Sequence, residues 1–245
     1  MNKYGAFELG GVRSERLGII LTEPPQMVVA EREVENIGIP GRSGDLTIDK
    51  GRYRNVRIPY RCAIIPKEGE ELRQAITCAL PMLRKSTGYV RLENSFHEST
   101  YRLARIVNGV TVDSLVEKAG RFTLEFDCKP QRYLKSGDFA FEFCEASWIV
   151  NPTQEIAQPL ITVYGSGPGE LSIGGTTVQI LALEDQITLD SEIMNAYRQV
   201  GDSPAESRNS DIYAPEFPTL APGVSHFNWS GGIERIRIVP RWWTL

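Results

Sequence analysis

Several groups of residues have the types and spacing that chemistry would require, and each implies a different reaction. The hexapeptide Tyr164-Gly-Ser-Gly-Pro-Gly169 follows an apolar run and places glycine at alternate positions, as a phosphate cradle would. Such a cradle works because it opens a helix whose first amides meet the anion. Here the next residues, ELSIGGTTVQI, are extended in pattern and no Gly-Lys-Ser/Thr follows, so a hairpin is the better reading. Gly41-Arg42-Ser43-Gly44 could likewise form a small nest of backbone amides. Again the following DLTIDKG is extended, which favours a tight turn beginning at Pro40 and closing near Asp45. Arg52, Arg54, Arg57 and Arg61 are spaced to touch a nucleic-acid backbone, but Asp45 and Asp49 dilute the charge and no aromatic series accompanies them. A solvated or subunit-facing strand face is the reading for these arginines, with no specific nucleic-acid binding.

Acid–base and nucleophilic chemistry have less support. His97 lies in a turn-like run with Asn94, Ser95, Glu98 and Ser99; His226 precedes FNW; neither adjoins a recognisable nucleophile motif. The neighbouring acids Glu184-Asp185 and Asp190/Glu192 are of the type used for glycoside hydrolysis, yet a chain with 31 acids supplies such neighbours by composition alone. Cys62, Cys78, Cys128 and Cys144 stand singly, and two histidines are too few to complete a zinc site with them, so all four are expected to be buried, reduced, small hydrophobes. Tyr213, Trp229, Trp242 and Trp243 could stack on a sugar or contact a partner, and against that stands the ordinary place of tryptophan in a sandwich core. Adjacent Trp242 and Trp243 would point to opposite faces of a strand. The expectation is a protein without catalysis, cofactor or metal.

The elements that must position these residues are mainly β. In RYRNVRIPYRCAII the apolar Val56, Ile58, Tyr60, Cys62 and Ile64 alternate with Arg57, Pro59 and Arg61, giving a strand with one dry face. Pro59 cannot donate to a ladder, which predicts a sheet edge or a bulge there. A single helix is predicted over 67–85, with Leu72, Ala75, Ile76, Ala79, Leu80 and Leu83 in one stripe, Glu68, Glu70 and Glu71 at its start, Arg84 and Lys85 at its end, Gly88 as a left-handed stop, and Pro81 kinking the last turns. YVRLEN, TYRLARIV and GRFTLEFDCKP read as strands, the last ending at Pro130. Beyond Phe139, short strands separated by Gly and Pro turns suggest a second sandwich, with Gly174-Gly175 as a two-residue hairpin turn and 199–217 as a surface loop.

Charge divides the chain where the pattern does. Through Tyr133 there are 21 Lys+Arg against 17 Asp+Glu, a net of +4; the remainder has 6 against 14, a net of −8, and the sum is the overall −4. Charge balance is a property of each domain's surface, so the expected domains are 1–133 and 134–245. The opening residues lack a signal peptide's apolar stretch, no apolar run reaches about 18 residues, and no membrane insertion is expected.

Several segments together resemble the distal tail proteins of long-tailed, non-contractile bacteriophages: IPGRSGDL followed by NVRIPYRCAI, the lone helix, VRLENSFHESTYRLARI, GRFTLEFDCKPQRYL, NPTQEIAQPLITVYGSGPGELSIGG, ITLDSE and FPTLAPGVSHFNWSGGIERIRIVPRWWTL. That resemblance implies a structural hub at the virion's tail tip, made and assembled in the bacterial host cytoplasm. It implies a homo-hexameric ring joining the tail tube to adhesion, fibre or receptor-binding proteins. The ring domain would be a β-sandwich with one helix and a projecting segment around 40–54, followed by a peripheral galectin-like or carbohydrate-module-like β-sandwich. On that basis Pro40, Gly41, Arg42, Ser43, Gly44, Asp45, Arg57 and Arg61 are candidate ring-interface residues, with Glu31, Glu33 and Glu35 as a complementary patch. The alternative is a glycan-binding adhesion module acting through the second sandwich.

Overall fold

Extended segments dominate because apolar residues recur mostly at every second position, which gives a strand one face to bury. The computed structural model describes residues 4–84, 88–109, 111–116, 119–201 and 205–245. Two compact units are formed, Met1–Arg132 with Leu245, and Tyr133–Thr244.

In the first unit the strands are β1 (Phe7–Leu9), β2 (Val12–Arg13), β3 (Ile19–Leu21), β4 (Arg32–Ile37), β5 (Leu46–Tyr53), β6 (Val56–Ile64), β7 (Val90–Asn94), β8 (Thr100–Ile106), β9 (Asp113–Val116) and β10 (Ala119–Leu134). The main antiparallel sheet runs β2-β1-β7-β8-β10-β6-β3, and β9 also pairs with β10; β4 and β5 form a separate two-stranded ribbon. Its core gathers the inward faces of these strands: Phe7, Tyr60 and Phe126 meet edge to face at centroid separations of 4.8–5.9 Å, with Leu124, Cys62 and Cys128 packed around them. Burial pushes the Tyr60 phenol up and the Cys62 and Cys128 thiols up to about 12, so both cysteines are inert apolar filling. Cys78 and Cys144 are exposed, contrary to the expectation for all four. One lies on the polar side of the helix and the other in the bend before β12, where no core face reaches it.

Pro59 sits in a strand flanked on both sides, with β10 along its whole length and β3 along Cys62–Ile64 only. The main chain of its partner Glu125 is turned toward β8, accepting from Val107 N–H, so the Pro59 nitrogen faces the opposite side. There β3 has already ended. The missing N–H therefore costs no ladder bond, and the edge predicted for Pro59 is a local one.

The helix α1 (Leu72–Arg84) begins five residues later than predicted. Gly69 adopts φ of +81°, and Glu70 N–H bonds to the Lys67 carbonyl, so 67–70 is a turn; the Glu71 carbonyl then accepts from Gln74 and Ala75. Ala75, Ala79 and Met82 are buried, Leu72, Ile76 and Leu83 pack beside them, and Pro81 lies inside the helix. Residues 85–87, with Lys85, lie outside the described residues, and Gly88 is not left-handed. β10 does not end at Pro130 but continues to Leu134.

The second unit contains β11 (Phe141–Phe143), β12 (Ser147–Asn151), β13 (Leu160–Ile173), β14 (Thr176–Ile180), β15 (Glu184–Asp190), β16 (Asn195–Arg198), β17 (Glu206–Ser207), β18 (Ile212–Tyr213), β19 (Gly223–Val239) and β20 (Trp243–Thr244). Its spine is the antiparallel pair β13–β19, whose register breaks at Gly165–Gly169 opposite Gly231–Ile233. Before the break β13 pairs with β15; after it, with β14 through the Gly174-Gly175 turn. Both halves feed one core, with Ile161, Val163, Leu171 and Ile173 fully buried, so the break folds one ladder into two layers. Tyr164–Gly169 is thus a bulge inside a strand, neither phosphate cradle nor hairpin. A β-carbon on Gly165 would lie 2.0 Å from the Gly232 carbonyl oxygen, and one on Gly232 would lie 1.9 Å from that of Ser166. Only glycine lets the two main chains approach so closely. The 199–217 segment is not simply a loop: it contributes β17 and β18, with 202–204 outside the described residues.

Candidate assembly surface

Among the described residues, β4 and β5 form the strand pair that buries no side chain. The eight residues between them include Ile39, Pro40, Gly41 and Arg42, and the Arg42 N–H returns to the Ile39 carbonyl at 3.1 Å. Proline at the second position and Gly41 at φ +80° in the third are what a type II turn demands. Pro40, Gly41, Arg42, Ser43, Gly44 and Asp45 are all exposed at this tip. The predicted tight corner is therefore the end of a β-ribbon.

The register Ile37↔Leu46, Asn36↔Thr47 and Glu35↔Ile48 sorts the ribbon into two faces. One face carries Ile37, Leu46 and Ile48 near the tip, and toward the base the ion pairs Glu35–Lys50 and Glu33–Arg52, the latter at 2.7 Å. The other carries the Thr47–Asn36 hydrogen bond (2.8 Å), the Arg32–Asp49 pair (2.8 Å), and Arg32 over the Tyr53 ring. Hydrogen bonding to Arg52 holds the Glu33 carboxyl below its ordinary value; the Gly51 N–H, then Arg32, does the same for Asp49. Glu33 and Glu35 are thus engaged by the ribbon's own second strand, while Glu31 lies exposed just before β4.

Arg57 and Arg61 project from the outer face of β6, as the alternation predicts. Arg61 pairs with Glu23 at 3.2 Å, whereas Arg57 is exposed and makes no ion pair among the described residues. On the same face Asp127 is buried, accepting from Tyr89 (2.7 Å), Arg105 (3.1 Å) and Asn55 (3.2 Å). Burial raises the Asp127 carboxyl, and these hydrogen bonds outweigh it, leaving the group below its ordinary value. Nearby, Arg102 is buried with no carboxylate partner among the described residues; its guanidinium donates to the carbonyls of Val28, Lys129 and Pro130 and fixes the segment before β4. Desolvation lowers its pKa, and the three carbonyls keep the cation hydrogen-bonded.

The aromatic set in the second unit does not assemble into one platform. Trp242 is a core residue, 3% exposed. Trp229 is half-buried, parallel to Phe227 at 6.4 Å; Trp243 is half-buried and donates to the Ile156 carbonyl; Tyr213 is exposed on β18. The most exposed tryptophan is Trp148, at 56%. It follows the polar run Cys-Glu-Ala-Ser, and only its pairing with His226 on β19 reveals which way it faces. The acids read as possible hydrolytic pairs are held by arginine: Glu184 and Asp185 by Arg198, Asp190 and Glu192 by Arg241. His97 lies in the turn after β7, close to the Asn94 side chain.

No protein-family model matches the chain, and no curated protein matches it in sequence. Solved structures do. The crystal structure of SPP1 Dit, described as a paradigm of the hub adsorption apparatus in Gram-positive infecting phages, superposes with a TM-score of 0.75 at 13% identity, covering 98% of this chain and 99% of that one. This chain has the Dit fold. Chains of the phage p2 baseplate in its activated conformation, with strontium or with calcium, match at a TM-score of 0.53 and 10% identity, covering 96% of this chain and 97% and 96% of theirs. At such identities the likeness establishes the architecture, a mainly β Dit-like chain with one α-helix.

Proposed function

We propose that this chain is a structural hub protein of a long, non-contractile phage tail tip, a component of the virion with no catalytic role. The observation that carries the reading is the end-to-end match, in both directions, to a Dit protein whose own description is that of an adsorption hub. In this reading residues 1–133 form the ring domain, six copies close head to tail, and residues 134–245 form a peripheral, galectin-like sandwich. The ring joins the tail tube to adhesion, fibre or receptor-binding proteins, with no cofactor, nucleic acid or membrane involved.

A closed ring needs two different complementary surfaces on each subunit. The β4–β5 ribbon supplies one. An isolated two-stranded hairpin is marginal in water, and this one leaves Val34, Ile37, Ile39, Leu46 and Ile48 each about two-fifths exposed. Burying those side chains against a neighbour would take five part-exposed apolar groups out of water. Arg57 and Arg61, on the outer face of β6, belong to the surface that would receive it, and the tip residues 40–45 enter with the ribbon.

The test is the mass of the purified chain by light scattering across protein and salt concentrations. A species of roughly 160 kDa, six times 27.4 kDa, is expected. A dimer or a tetramer as the closed species, or a monomer that stays so when mixed with tail tube protein, would remove the hexameric ring.

A further inference from the structure

The second unit has an unusual edge. β12 (Ser147–Asn151) pairs with β19 on one side, and no strand pairs with it on the other among the described residues. The direction of its main-chain groups follows from β19. His226 gives its carbonyl to Gly174 N–H, toward β13, so Ser225 and Phe227 are the β19 residues that bond to β12. Their partners are Ile149 and Ser147. Trp148 and Val150 therefore direct their N–H and C=O groups outward, away from the sheet.

Natural edges are normally blunted by charge, proline or shortness. β11 carries Glu142 at its centre, and β17 and β18 are two residues long. β12 has five residues, Ser-Trp-Ile-Val-Asn, with neither charge nor proline. Its outer face is apolar as well: Trp148 lies beside His226, and Val150 beside Val224, with Trp148, Val150 and Val224 all exposed. Unpaired main chain and an apolar face at one strand are what a recognised extended peptide uses, the first for affinity and the second for selection.

Charge limits the occupant. From Ser136 to Tyr197 there is no Lys, Arg or His, and there are nine acids, of which Glu145 and Glu155 flank β12, the first exposed and the second half-buried. A second copy of β12 laid antiparallel on the first would bring acidic ends together. We infer that β12 is a docking edge for an extended segment of a partner protein, apolar at alternate positions and basic at its ends, which joins the sheet through the main chain of Trp148 and Val150. This inference does not depend on ring closure, because β12 and β19 both lie in the second unit.

The probe is a displayed library of random twelve-residue peptides selected on the intact chain, followed by titration of the enriched peptides. Alternating apolar residues between lysines or arginines are expected. Val150→Pro removes one outward N–H and no bond to β19, and should weaken binding about tenfold; Trp148→Ala should weaken it similarly. Should Val150→Pro misfold, N-methylation of the peptide's alternate amides tests the same contact on the unaltered protein: one register should abolish binding and the other leave it intact. The inference is overturned if no peptide is enriched, if both N-methyl registers bind equally, or if Val150→Pro instead lowers the mass of the assembly, which would make a second copy the occupant. It is equally overturned if the face binds a β-glucan oligosaccharide through Trp148 with no effect of Val150→Pro. A mass below that of a hexamer with peptide binding intact would count against the ring alone.

Discussion

The β4–β5 ribbon and the β13–β19 ladder are both antiparallel pairs, and they are held by opposite means. In the ladder, Ile161, Val163, Leu171, Ile173, Ile236 and Ile238 are fully buried, and glycines let the two main chains close to within a distance that excludes any β-carbon. In the ribbon no side chain is buried, and the cross-strand partners are exposed ion pairs, one amide–hydroxyl hydrogen bond and part-exposed apolar side chains. Exposed ion pairs contribute little. The ladder builds the core of its own unit, whereas the ribbon adds no buried residue to the core of its own.

That contrast can be broken most severely at the glycine crossing. Gly232→Ala places a methyl group 1.9 Å from a main-chain oxygen, where no side chain can yield, and should destabilise the second unit by more than about 3 kcal/mol in urea unfolding. A loss below about 1 kcal/mol would mean that the bulge opens freely and does not fold the ladder into its two layers. A smaller effect separates buried from exposed ionic contacts. Asp127 has its folded pKa depressed, so its contribution is present above the unfolded value of about 4 and is lost as the pH falls through the folded value. Asp127→Asn should cost about 1–3 kcal/mol at neutral pH and remove part of the stability lost in acid. Asp49→Asn, in the ribbon, should change neither by a measurable amount; equal effects of the two would erase the distinction.

The ribbon itself should give the smallest change in folding and the clearest change in mass. Ile37→Asp with Ile48→Asp should leave monomer stability within about 0.5 kcal/mol while abolishing the large species in light scattering. Arg57→Glu with Arg61→Glu should be quieter still in unfolding, and should loosen the assembly most at low salt, where exposed charges act furthest. Normal assembly of both double variants would detach the ring interface from these surfaces.

Much of this was legible in one dimension. Strict alternation in Val56–Ile64 identified a one-faced strand, Gly174-Gly175 a hairpin, and the apolar stripe 72–83 the helix, because each signal is carried by neighbours in sequence. Other features failed for a common reason. Whether Pro59 interrupts a ladder depends on where β3 ends, and whether Tyr164–Gly169 is a turn or a bulge depends on the glycines of β19, 60 and more residues away. Trp242, a candidate for sugar or partner contact, is sealed in the core, and Trp148, which the sequence did not single out, is open on β12, through pairings that composition does not encode.

By itself, then, the sequence determined that this is a mainly β chain with one amphipathic helix and a shift from basic to acidic charge near its middle. Those properties are sums over local residue types and periods of two and 3.6. The tertiary structure alone decided that the Pro40–Asp45 turn ends an unburied ribbon, that Glu33 and Glu35 are spent within it, and that Trp148 and Val150 stand at an open edge. Strand order, register and burial are set by contacts between residues far apart in the chain, and those contacts choose which of several locally reasonable faces meets the core and which meets a partner.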